Sequence, residues 1–163
     1  MRTFIAAAAL LALAGCGGSE EAASPSTPTM AAQTATAEGV EVTLTSVEES
    51  NNVLDPGIFP EAGPDATYII ARYSLKNTST KPLGFIDRPE LDLVDAKGQA
   101  LAKDIATSAA VSSNIDASGA ASDTNPGMTT ELGAVWKVAK KDYDPSTWKI
   151  VVRTKPEHQF NLK

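Results

Sequence analysis

The chain has 163 residues, with 14 Lys plus Arg against 20 Asp plus Glu, one His, one Cys, 42% hydrophobic and 6% aromatic residues. That length carries one ordinary domain, and a net charge of −6 repels phosphate backbones and anionic lipid, which argues against a nucleic-acid partner. A single cysteine excludes an intrachain disulfide framework and any multi-cysteine zinc or iron–sulfur centre.

The first predicted element is an export signal. Arg2 supplies positive charge, residues 4–14 are apolar without interruption, and small residues lead to Cys16. A helix over that apolar run spans only about 16 Å, roughly half of the ~30 Å hydrocarbon core, so a permanent membrane-spanning helix is not expected. Leu13, Ala14, Gly15 and Cys16 resemble a bacterial lipobox. That resemblance implies that residues 1–15 are a lipoprotein signal peptide. It further implies that the Cys16 thiol is joined to a diacylglycerol and, after cleavage, that its amino group takes a fatty acyl chain such as palmitate. Two or three chains hold a protein at a bilayer where one does so only marginally. Gly17 stands where Asp is the familiar inner-membrane retention signal of enteric bacteria. The expected location is therefore the cell envelope, with the outer membrane facing the periplasm favoured.

Residues 16–37 read as a lipid-anchored, disordered linker. After Cys16 this stretch has no Leu, Ile, Val or aromatic residue and is dominated by Ala, Ser, Thr, Pro, Gly and Glu. It cannot bury enough apolar area to offset its ordering entropy. As a flexible coil it reaches about 25 Å, which lifts a folded domain of residues 38–163 clear of the headgroups.

From residue 38 the pattern changes to period two. Val40, Val42 and Leu44 share one face of a strand, and Ile69, Ala71, Tyr73 and Leu75 share one face of a longer, β-branched and aromatic strand suited to a sheet centre. Between them, residues 51–65 hold Pro56, Pro60 and Pro64 with two Gly and read as a loop. Residues 77–82 form a turn and 91–94 a strand, and Asp95 with Gly98 makes a hairpin into residues 99–104. Residues 106–125, rich in Ala, Ser, Asp and Asn without clear amphipathic order, read as a long exposed excursion with at most a transient helical turn. Leu132, Ala134, Trp136 and Val138 alternate again, residues 148–152 repeat the pattern, and Phe160 with Leu162 marks a last short strand. Seven or eight strands divided by turns predict an all-β sandwich, with Tyr73, Trp136 and Trp148 filling the space between two sheets.

The order of these features resembles a known family. Residues 73–79 with Lys81-Pro82, residues 91–95 with Gly98, Pro126-Gly127, Trp136-Lys137-Val138 and residues 148–152 are similar to the telokin-like, immunoglobulin-like domain of unknown function found in bacterial lipoproteins. That domain is related to the immunoprotective extracellular proteins of mycobacteria. The resemblance implies an immunoglobulin-like sandwich over residues 38–162 in which Asn77 ends a strand. It also implies a noncatalytic module that binds a protein or an envelope polymer.

Catalytic groups are scarce. His158 is the lone histidine, no Gly-x-Ser-x-Gly elbow precedes it, and it reads as an exposed tail residue. Asp142 and Asp144 fit a solvated turn before Pro145 better than a calcium site of six to eight ligands. Glu48-Glu49 and Asp92 with Asp95 read likewise as solvated carboxylates. Asn77-Thr78-Ser79 is an N-glycosylation triplet that a turn explains as well. The expectation is therefore a monomer without catalytic residue, metal or cofactor, tethered to the membrane by Cys16. Its loops 51–65 and 106–125 would form the binding surface. A periplasmic carrier of a small ligand or metal is the alternative, and an envelope hydrolase built on His158 comes last.

Overall fold

The computed structural model describes residues 31–163; the expected signal peptide of residues 1–15 and the lipobox-like Leu13, Ala14, Gly15 and Cys16 lie outside them. In chain order the elements are β1 (Gln33–Ala37), β2 (Val40–Ser50), β3 (Ala66–Asn77), a 3-10 turn (Phe85–Asp87), β4 (Leu91–Val94) and β5 (Ala100–Leu101). They continue with α1 (Ile105–Ile115), α2 (Ala117–Ala121), β6 (Thr129–Ala139), β7 (Lys149–Val152) and β8 (His158–Asn161).

The strands form two antiparallel sheets, ordered β1-β2-β3-β6 and β5-β4-β7-β8. Strand alternation turns Val42, Leu44, Ile69, Ala71, Leu75 and Trp136 of the first sheet toward Leu91, Leu93, Ile150 and Phe160 of the second, with Trp148 joining them from just before β7. The fold is a β-sandwich. Tyr73, Trp136 and Trp148 are all buried in the inter-sheet core, as the alternation predicts. The hairpin at Asp95 also forms, with Gly98 at φ 82° and its N–H donating to Asp95 O at 3.0 Å. Its second strand is only two residues long, shorter than the 99–104 run suggests.

Two expectations need correction. The sheet begins at Gln33, inside the stretch read as linker: Glu38 (φ 53°) and Gly39 (φ 79°) make a two-residue hairpin turn that folds β1 back along β2. Ala35 alone of β1 is fully buried, so small and polar residues with strand geometry read as a low-complexity tract. The Gln33 side chain completes the strand's role. Its Nε2 donates to Asn161 O at 2.7 Å and its Oε1 accepts from Asn161 N at 2.9 Å, an amide imitating the next strand across the gap to β8.

Residues 106–125, read as an exposed excursion, instead carry α1 and α2. Asp104 caps α1 by accepting from Thr107 N at 3.0 Å, and Asp116 caps α2 by accepting from Gly119 N at 2.8 Å. The buried face of α1 is Thr107, Ser108, Val111 and Ser112, a helical stripe made mostly of hydroxyls. An apolar periodicity therefore never appears. This face lies on the outer side of the first sheet, where Val111 joins Tyr68, Ile70 and Val135. The 51–65 loop closes over the same side: Val53 and Ala62 are buried there, and Tyr68 Oη donates to Pro60 O at 3.0 Å. Among the described residues no helix is long and apolar enough to cross a membrane.

Candidate functional site

The chain between β3 and β4 builds one wall of a cleft. Asn77, fully buried, ends β3 and fixes the departure angle: its Nδ2 donates to Lys81 O (2.8 Å) and Thr124 O (2.7 Å), and its Oδ1 accepts from Ser79 N (2.9 Å) and Ser79 Oγ (2.7 Å). Every amide proton is used and the side chain is out of solvent, so the triplet that starts here is a turn in the folded chain. Leu83 then pairs with Thr124 through two backbone bonds, and Phe85 N donates to Asp123 Oδ1 at 3.2 Å. The 3-10 turn follows. Its neighbour Gly84 lies under the Asp87 carboxylate: a Cβ there would be 2.6 Å from Asp87 Oδ2, so a side chain would require that exposed carboxylate to swing away.

Arg88 locks this wall to the helical one. Its Nη2 donates to Gly119 O (2.7 Å) and Ser122 O (2.5 Å) and its Nη1 to Ala120 O (3.3 Å), so the guanidinium covers the carbonyl end of α2. Burial lowers the Arg88 pKa, while Tyr73, Asp123 and Asp116 act in the opposite direction. Burial pushes the Tyr73 hydroxyl up to about 12, against a weaker pull from Arg88. Nε of Arg88 is buried with no hydrogen-bond partner among the described residues.

Between the two walls lies an open cleft of about 410 Å³, floored by Tyr73 and Leu132 and flanked by Lys103 and Glu90. Its rim carries Phe85, Ile86 and Ile105, which are 56%, 78% and 75% exposed. Three large apolar side chains facing water around one concavity are unusual, since single exposed ones need no explanation but a cluster marks a contact surface. The volume is that of a small-molecule site or of a pocket for a partner's side chain. Beside Tyr73 and Leu132 the hydroxyls of Ser108 and Ser112 also line the cleft, both bonded to the β6 backbone. The arrangement can bind apolar groups, and its polar atoms are largely committed to holding the walls.

Sequence reasoning reached one wall of this cleft and missed the other. Of the two loops expected to project as a surface, 51–65 folds onto the outer face of the first sheet, whereas 106–125 packs there through Val111 and also lines the cleft through Ser108, Ser112 and Ala120. Phe85 and Ile86 sit between the 77–82 turn and the 91–94 strand, and their one signal in the sequence is a Phe-Ile pair between Gly84 and Asp87-Arg88-Pro89, too short for a strand. His158 is not an exposed tail residue; it opens β8, is half-buried, and its Nε2 finds no hydrogen-bond partner among the described residues. Asp144 accepts from Ser146 N (2.9 Å) and Ser146 Oγ (2.6 Å), and these bonds hold its carboxyl below the usual carboxylate range. Asp95 is occupied in the same manner by Lys97 N and Gln99 N, each at 2.8 Å. Asp92 pairs with Arg153 at 2.7 Å, and Glu48 lies 3.6 Å from Arg72. The carboxylates named from sequence thus serve turns and surface pairs and do not converge.

No family model matches the chain. It is similar to the uncharacterized protein YxkC of Bacillus subtilis, 33% identical over 115 residues, covering 69% of this chain; it spans about 64% of that relative's length. Among solved structures, a conserved hypothetical protein from Bacillus anthracis matches with a TM-score of 0.69 at 20% identity, covering 83% of this chain and 95% of that one. An uncharacterized β-sandwich protein from Clostridium difficile 630 matches with a TM-score of 0.52 at 14% identity, covering 80% of this chain and 90% of that one. At these identities the structural likenesses establish the β-sandwich and nothing of its activity.

Proposed function

We propose that the chain is a lipid-anchored protein of the bacterial cell envelope, acylated at Cys16, whose sandwich binds a protein or envelope polymer without catalysis. The lipobox-like Leu13-Ala14-Gly15-Cys16 supports the anchor, and by the same resemblance the outer membrane facing the periplasm is the favoured site. The observation that carries the binding role is the exposed apolar rim of Phe85, Ile86 and Ile105 around the cleft. An apolar rim with a charged surround favours a partner that buries side chains there.

The test has two arms on the full chain in cells. Radiolabelled palmitate enters the wild type and is lost in Cys16→Ser; label retained in that variant removes the anchor reading. A photo-crosslinker placed at position 86 gives a discrete adduct that Ile105→Asp abolishes, while one at the exposed hairpin position 97 gives none. Equal adducts from both positions count against the cleft as the contact.

The second reading, a carrier of a small apolar ligand, is favoured by the depth of the cleft, which reaches Tyr73 and Leu132 of the inter-sheet core. A rise in melting temperature with a ligand, lost in Ile86→Asp, separates it from the first.

A further inference from the structure

The outer edge of β6 is paired by side chains instead of by a strand. Ser112 Oγ accepts from Gly133 N at 3.0 Å and lies 3.1 Å from Gly133 O, to which it donates. Ser108 Oγ accepts from Val135 N at 2.9 Å, and Asp104 N donates to Val135 O at 2.8 Å. Two serines one helical turn apart therefore occupy the ladder positions that a neighbouring strand would take. The cover they belong to is held mainly by hydrogen bonds. Val111 alone among the apolar residues of α1 is fully buried, Ile105 is exposed, and α2 is tied down by the hydrogen bonds of Arg88. Few buried apolar contacts make an element that opens locally.

We propose that the β6 edge is a self-recognition surface for a second copy of this chain, with the α1–α2 unit as its removable cover. Gly133 and Val135 turn their N–H and C=O groups outward, and backbone direction alternates along a strand, so Glu131 and Lys137 belong to the same outward set. In an antiparallel pair of two β6 strands centred on Ala134, Gly133 stands opposite Val135 and Glu131 stands opposite Lys137. Each relation occurs twice, as a two-fold interface requires. Glu131 and Lys137 are both exposed on the outer face, so this register sets unlike charges across from one another at cross-strand distance. A pair centred on residue 131 would instead oppose two glutamates, and pairs centred on residue 133 or 135 would leave Glu131 and Lys137 without each other, so the first register is the one in which the charges match. Gly133 adds no side chain to the meeting point. The partner is therefore an identical strand, which supplies both the missing ladder and the matching charges. The edge borders the cleft, which Ser108, Ser112 and Gly133 also line, but the inference goes beyond the apolar rim because it rests on the β6 backbone and on Glu131 and Lys137.

The experiment is sedimentation of the full chain in detergent, so that a lipid anchor does not itself drive association. Removing the latch with Arg88→Ala, Ser108→Ala and Ser112→Ala together is expected to tighten dimerisation by about tenfold or more over wild type. On that background Glu131→Lys weakens the dimer by about tenfold, and adding Lys137→Glu restores it. A folded latch variant that associates no more tightly than wild type overturns the proposal, as does a dimer indifferent to Glu131→Lys, which would place the contact elsewhere, at the apolar rim for example. If the latch variant loses its cooperative melt, hydrogen exchange on the wild type decides. The Gly133 and Val135 amides are expected to exchange more slowly as protein concentration rises, and exchange independent of concentration overturns the proposal.

Discussion

The two faces of the first sheet are both buried at its centre, yet they are filled by different chemistry. Ile69 and Ile70 are neighbours on β3, point to opposite sides, and neither is exposed. On the inner side Ile69 meets a core of Trp, Leu, Ile and Phe side chains from two sheets. On the outer side Ile70 meets Val111, Val53 and Ala62, supported by serine hydroxyls and a proline-rich loop. The inner layer is held by apolar area removed from water, at about 25 cal/mol per Å². The outer layer depends on close approach and on hydrogen bonds that each contribute about 1 kcal/mol. One sheet thus carries an apolar partner on one face and a largely hydrogen-bonded one on the other.

The largest test of that contrast is Trp136→Ala. The indole is fully buried between the sheets and its Nε1 has no hydrogen-bond partner among the described residues, so its contribution is shape and area. Truncation is expected to cost about 3–5 kcal/mol, read from denaturant melts. Trp136→Phe should cost less, because the lost indole N–H satisfied nothing. A loss below about 1 kcal/mol for the alanine variant would show that the inter-sheet core does not carry the stability.

Gly133→Ala probes the outer face. A Cβ at this position would lie 2.4 Å from Cγ1 of Val111, so α1 must retreat or its side chain must move. The expected cost is about 1–3 kcal/mol, with a loss of helical far-ultraviolet signal that the Trp136 variants do not share while folded. Adding Val111→Ala should return part of it, giving a double variant less destabilised than the sum of the singles. Strict additivity would mean that the helix does not pack on this glycine.

The same contrast explains what was legible in the sequence. The inner face announces itself, because Val40, Val42, Leu44, Ile69, Ala71, Tyr73, Leu75 and Trp136 are apolar at period two, and a sandwich follows from them. The outer layer is nearly silent. Helix α1 buries Thr107, Ser108 and Ser112, whose hydroxyls are worth burying only because Gly133 and Val135 present unpaired backbone, and that relation is tertiary. Its remaining signal is the pair of caps Asp104 and Asp116, each followed three residues later by the amide it satisfies. Strand β1 hides for a related reason: an edge strand whose only fully buried residue is Ala35 has no apolar alternation to display. The Phe85–Ile86 wall of the cleft was illegible because both residues are exposed, and exposure leaves no periodic mark. The two clustered carboxylate motifs were read correctly as turn formers because Asx turns are local and need no partner distant in sequence.

The smallest effect lies where the cleft meets the inner core. The Tyr73 hydroxyl is pushed up to about 12 by burial, against a value near 10 in the unfolded chain. The folded state therefore holds this proton where the unfolded state has released it. The stabilisation is complete below pH 10 and is lost as pH rises from about 10 to about 12, with a slope of at most about 1.4 kcal/mol per pH unit for the one group. Tyr143, packed edge-on against Trp148 with centroids 5.3 Å apart, is also raised to about 12 and titrates in the same window. Wild-type stability is thus expected to fall along an alkaline limb to which both tyrosines contribute. Tyr73→Phe removes one proton from that difference and leaves the Tyr143 part, so the gap between wild type and variant should narrow between pH 10 and 12 in denaturant melts. A gap that stays constant across the window would mean that water entering through the cleft solvates the Tyr73 phenolate. The cleft floor would then behave as surface, and the limit of the dry inner layer would have to be drawn at Leu132 instead.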